Sequence, residues 1–296
     1  MLSPKEGKII QSLAGAMKTT APAPGEFVKQ YYDLLIDVQK LKVAIIQPDR
    51  SLIRKFDDVI SQQRQEDSLI EGFNAGYAVL ADYADLLLAL TDDTNTKTLK
   101  RQDDAFIASF DTAVVKYNSF TSGTKLPASS LGGLVSKIVV EVGTRRIRYL
   151  QRKYLLDLVT QADSVIQPLC DNYIIIDHTR DSTAINIDRA DLRNTFLSFL
   201  ISIGDDTVSA SAYNRYVNYD PVYYNWINKL DALKALDQSN TAAFKKIKTS
   251  HTELLNALKD KTTFVALLGS VKDLYGSING INESYKQLQK DLTPNK

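Results

Sequence analysis

The run EFVKQYYDLLIDVQKLKVAII, residues 26–46, decides the fold class. Within it Phe27, Tyr31, Leu34, Leu35, Val38, Leu41 and Ile45 recur at steps of three and four about the Leu34–Leu35 pair. That spacing brings them onto one face of an α-helix, whereas a half-buried strand alternates with a period of two. Pro48 ends the helix, because proline disfavours helical backbone in the residue before it, and Asp49 can cap the next one.

The same pattern extends in both directions. Downstream, a helix of about 60 Å is expected from Arg50 to Leu90 at 1.5 Å per residue. Leu52, Phe56, Val59 and Ile60 begin its apolar stripe, and Phe73, Tyr77, Leu80, Ala84, Leu87 and Leu88 continue it. The polar block SQQRQED (61–67) reads as a wetter layer or a kink, and Gly72 and Gly76 permit a bend or a close helix approach. After the loop TDDTNT (91–96), Leu99, Phe106, Phe110, Ala113, Tyr117 and Phe120 step by 7, 4, 3, 4 and 3, a coiled-coil type of seam. A second long helix follows the loop 121–130 and runs over Leu131–Asn172, with a kink expected at Pro168. Upstream, residues 4–18 read as a short helix and TTAPAPG (19–25) as a Pro-rich linker.

Residues 173–189 (YIIIDHTRDSTAINIDR) fit a small hairpin, since Ile185 and Ile187 alternate with polar neighbours. Helical patterns resume over 188–203, 207–219, 221–236, 241–258 and 263–292. Only 13 glycines and 8 prolines serve 296 residues, too few for a strand-dense fold that turns every 8–12 residues. The expected class is therefore all-α: a bundle of long antiparallel amphipathic helices with additional C-terminal helices. In chain order the division is an N-terminal segment and linker (1–25), a long-helix bundle (26–176), and C-terminal helices (177–296) that pack on the bundle or form a second lobe. Residues 57–111 carry 12 acidic and 4 basic side chains, and residues 116–153 carry 8 basic and 1 acidic. Opposite charge on consecutive helical segments favours antiparallel neighbours, at about 0.2–1 kcal/mol per exposed pair.

Net charge is +1, so no global field steers nucleic acid or an anionic membrane toward the chain. No stretch reaches the 18–20 apolar residues of a membrane span. Cys170 is the only cysteine, and the acidic Asp171 beside it disfavours a reactive thiolate, so a buried structural thiol is expected. Of two histidines, His178 forms with Asp177 and Asp181 an acidic–imidazole cluster that suits a metal but reads better as a solvated loop, and His251 precedes Glu253 in a helix as a surface or interface residue. Neither has the spacing of a zinc or di-iron motif. Gly132–Gly133 and Gly276/Gly280 lack the preceding strand that a phosphate loop needs. Lys137, Arg145, Arg146, Arg148, Arg152 and Lys153 form a basic run that suits an anionic ligand, or simply pairs with the acidic segment before it. The sequon Asn282-Glu283-Ser284 falls in a helical pattern and carries no weight. No catalytic, cofactor-binding or metal-binding residue is assigned, and no cofactor is expected.

One feature stands apart. In SAYNRYVNYDPVYYNWIN (211–228), Tyr213, Tyr216, Tyr219, Tyr223, Tyr224 and Trp226 alternate with asparagines. Such rings give large contact area with a polar tip, which suits an interface or a sugar platform. The competing account is that they pack C-terminal helices onto the bundle. Single-stranded nucleic acid would need a basic groove, and only Arg215 is present.

The segments AFKKIKTSHTELLNALKD (243–260) and YAVLADYADLLLAL (77–90) resemble parts of helical-bundle proteins of the bacterial cell envelope. The resemblance covers under a fifth of the chain and implies an envelope location, with no residue role attached. The N-terminus as given has no apolar run of signal-peptide type, so periplasm or envelope is expected if a signal was removed, and cytoplasm otherwise. The leading functional expectation is a non-catalytic scaffold that binds a protein partner through the aromatic patch. The alternatives are a membrane-active protein of the α-helical pore-forming type, inserting through Leu131–Val142 or Tyr173–Ile187, and an enzyme with an unfamiliar site near His178 or the tyrosines.

Overall fold

A computed structural model describes residues 2–44, 51–91, 111–119, 125–127, 147–180, 183–204, 210–260 and 264–292. Among the described residues there is no strand, and the class is all-α. The helices are α1 (Pro4–Thr20), α2 (Ala23–Ala44), α3 (Ser51–Thr91), a segment α4 at 111–119, α5 (Ile147–Arg180), α6 (Thr183–Gly204), α7 (Ala210–Lys259) and α8 (Phe264–Leu292). Their contacts group the chain into two compact units, each assembled from three separate stretches. The first comprises 1–25, 71–175 and 239–280, and the second 26–70, 176–238 and 281–296. The sequence reading divided the chain in order instead, because apolar periodicity records where a helix is and not which helices it meets.

In the first unit, α1 begins with a reciprocal cap. Ser3 Oγ accepts from the Glu6 amide, Glu6 Oε2 accepts from the Ser3 amide, and Pro4 stands where no amide donor is needed. Ile10, Leu13, Ala14 and Met17 are wholly buried, each large one contributing about 1.5–3 kcal/mol of apolar burial. Lys18 pairs with Asp85, and Gln11 Nε2 donates to the Thr91 carbonyl, so α1 runs antiparallel to α3. Gln151 Nε2 donates to the Leu90 carbonyl, and Tyr173 meets Tyr77 edge-on at 5.9 Å, so α5 is also antiparallel to α3. The charge pattern concerned 57–111 and 116–153, and most of the second segment lies outside the described residues; the contacts named here are a neutral amide and two rings. The C-terminal part of α7 belongs to this core, with Phe244, Ile247 and Leu254 fully buried, rather than being added to it.

Gly76 is where glycine is required. A Cβ there would lie 2.1 Å from Tyr117 Cδ2, so α4 and α3 approach closely only because no side chain intervenes. Gly25 is less constrained: a Cβ there would lie 1.8 Å from Asn74 Oδ1, the end of an exposed side chain that can move aside.

In the second unit, α6 and α7 run antiparallel: Arg189 pairs with Asp231, and Phe196 stacks on Tyr223 at 4.7 Å. Lys42 of α2 pairs with Asp191 of α6. Phe27, Leu34, Val38, Leu192, Phe196, Leu230, Leu233, Ile281 and Leu288 are among its buried residues. Leu35 and Leu41, expected inside, are only half-buried, and Ile36 and Val43 are buried in addition.

Several boundaries differ from the sequence reading. The supposed linker 19–25 shrinks to Ala21 and Pro22, because Pro24 sits in the first turn of α2, where its missing amide costs nothing. The hairpin reading of 173–189 is replaced by helix over 173–180 and 183–189. Tertiary contacts outweigh the β-branched run there: Asn172 Nδ2 donates to Tyr117 Oη at 2.6 Å, and Tyr173 stacks on Phe244 at 4.7 Å. Pro168 and Pro221 lie inside helices, so α5 continues to Arg180, and α7 is one helix of 50 residues where three were expected. Asp237 and Asn240, in the expected break between 236 and 241, are buried within it. The polar block at 61–67 lies within unbroken α3, with Ser61, Gln63, Arg64 and Asp67 exposed. Leu99, Phe106, Phe110, Phe120 and the stretch 131–146 lie outside the described residues, while Ala113 and Tyr117 are buried as the seam requires.

Candidate functional site

The aromatic patch lies on the first half of α7, in the second unit. Tyr213, Tyr216 and Tyr219 are on this helix, with side chains outside the described set. Tyr223 is half-buried: its ring stacks on Phe196 of α6 with planes 24° apart, and Tyr224 meets it edge-on at 5.8 Å. Trp226 is half-buried, and Tyr224 is 57% exposed. Among the described rings, Tyr223 closes the α6–α7 seam and Tyr224 faces outward.

Two apolar residues that the sequence reading did not single out join Tyr224. Leu197 is 45% exposed and Ile201 is 71% exposed, both on α6. Leu197 follows Phe196, and Tyr224 follows Tyr223, each displaced by about 100° around its own helix. Because the helices point in opposite directions, these two rotations carry both side chains to the same side of the seam. Ile201 lies one turn beyond Leu197 on that side. The sequence signal was present as FLSFLI (196–201), but a run whose apolar members spread over most of the helix surface does not say which of them faces out.

A second constellation lies in the first unit. His251 is not a surface residue: its ring is completely buried, because α7 turns it into the core between α3 and α5. Its Nδ1 is 3.1 Å from Asp163 Oδ1 of α5, and its ring lies 5.5 Å from that of Tyr83 of α3. Among the described residues neither His251 Nε2 nor Tyr83 Oη has a hydrogen-bond partner. Gln167 Nε2 donates to Asp163 Oδ1 at 3.1 Å and reaches Thr252 Oγ1 at 3.0 Å. The hydrogen bond from His251 is the main reason the Asp163 carboxyl is held below its ordinary value; partial burial opposes this, and Gln167 and Lys259 reinforce it. Burial, with the nearby Asp163 charge, pushes the Tyr83 phenol well up, so it stays neutral. A His–Asp pair is the orienting part of a nucleophilic triad. Here the enclosed ring presents no surface to a substrate, and the arrangement ties α3, α5 and α7 together.

The remaining candidates have structural explanations or lie outside view. Cys170 is buried, and burial followed by the Asp171 charge pushes its thiol up, which keeps it protonated. Arg152 donates from Nε to the Leu258 carbonyl and from Nη2 to the Ala257 carbonyl, placing a cation on the open C-terminal end of α7. Lys153 is exposed; Lys137, Arg145 and Arg146 lie outside the described residues, as does the side chain of Arg148. Asp177 and His178 are on α5 with side chains outside the described set, and Asp181 lies outside it altogether. Among the described residues no group of three or more His, Cys, Asp or Glu converges as metal ligands, and no helix is long and apolar enough to cross a membrane. No protein-family model, curated protein or solved structure matches the chain.

Proposed function

We propose that this protein is a non-catalytic helical scaffold that binds a protein partner through the α6–α7 face of its second unit. The supporting observation is the joint exposure of Leu197, Ile201 and Tyr224 on one side of an antiparallel helix pair. Single exposed apolar residues are ordinary, but adjacent ones on a common face are a recurrent mark of association. Tyrosine at such a face is well suited to anchor a partner, since it brings a large, stiff contact area with a hydroxyl at its tip. The Phe196–Tyr223 stack beneath fixes the two helices, so the face is held in place before any partner arrives. The resemblance of 77–90 and 243–260 to envelope proteins makes the cell envelope the compartment to search first.

The test is site-specific photocrosslinking in the native host, with the reactive group at Ile201 and, as an exposed control, at Val265 of the first unit. The expected result is a discrete protein adduct from position 201, absent from position 265 and abolished by Tyr224→Ala in a chain that keeps its helical content. Equal adducts at the two positions, or an adduct indifferent to Tyr224→Ala, would overturn the assignment.

A further inference from the structure

We draw no further inference here: the strongest candidate, the apolar face that Leu197, Ile201 and Tyr224 expose along α6 and α7, already carries the proposed function, and nothing in the structure shows what covers it.

Discussion

Replacing Gly76 by alanine adds one methyl group to α3 at a point where the Tyr117 ring already stands. The new Cβ would lie 2.1 Å from Cδ2, 3.0 Å from Cε2 and 3.1 Å from Cγ of that ring. The ring cannot simply swing aside. It is only 5% exposed, its hydroxyl accepts from Asn172 Nδ2 at 2.6 Å, and its edge rests against Tyr77 at 6.5 Å. Overpacking of this kind costs about 1–3 kcal/mol, and losing the Asn172 hydrogen bond adds about 1 kcal/mol. Against this, alanine is better than glycine in a helix interior by about 0.8–1.0 kcal/mol. The net expectation is a destabilisation of about 1–3 kcal/mol. Gly269 of α8 provides the matched control, since a Cβ there meets nothing within 4 Å. Gly269→Ala should show the helix term alone, a stabilisation of about 0.5–1 kcal/mol. Urea unfolding followed by far-ultraviolet circular dichroism reads the two as opposite shifts of midpoint at unchanged slope. If Gly76→Ala matches or exceeds the parent in stability, the close approach of α4 to α3 is wrong. If Gly269→Ala is destabilised, the outward face of α8 is wrong.

Four further outcomes follow from named contacts. The Asp163 carboxyl titrates lower in the folded chain than in the unfolded one, so its contribution is full above the unfolded value of about 4 and lost as pH falls through the folded value. Asp163→Asn should therefore lower stability at neutral pH and flatten the acid limb of the stability–pH curve; an acid limb identical to the parent's would contradict the His251 contact. Cys170 should resist a thiol-specific chromogenic reagent in the native chain and react fully in denaturant, and rapid native labelling would show that it is not buried. Arg152→Met should cost about 1–3 kcal/mol in urea unfolding by stripping charged hydrogen bonds from the end of α7, and Arg152→Lys should restore only part of this because the two-pronged geometry is lost. Tyr223→Ala should destabilise by more than Tyr224→Ala, which is expected to stay within about 0.5 kcal/mol of the parent; the reverse order would mean that the outward ring has been misidentified.

Much of the candidate site was legible in the sequence only as composition. The cluster from Tyr213 to Trp226 announced itself by density, yet which rings close a seam and which face outward depends on where α6 lies. Leu197 and Ile201 were invisible as surface residues, because five of the six residues in FLSFLI are apolar and spread over most of the helix circumference. His251 illustrates the opposite error. A histidine beside Thr252 and Glu253 in a Lys-rich stretch reads as exposed, but its position in register with Phe244, Ile247 and Leu254 turns it inward, where Asp163 makes its burial tolerable.

The helical class, the length of α3 and the burial of Tyr77, Leu80, Ala84 and Leu87 were determined by the sequence alone, because the period of apolar residues is a property of one segment and needs no partner. Proline was where local reading failed. Pro24 begins a helix and Pro221 rides inside another, because the missing amide matters little in a first turn and can be outweighed elsewhere by packing along the rest of the helix. The grouping of 1–25, 71–175 and 239–280 into one core, the Gly76–Tyr117 contact, the enclosure of His251 and the common face of Leu197, Ile201 and Tyr224 were decided by tertiary structure. Each of these depends on the relative direction and rotation of helices far apart in the chain, and periodicity within a single helix carries no information about either.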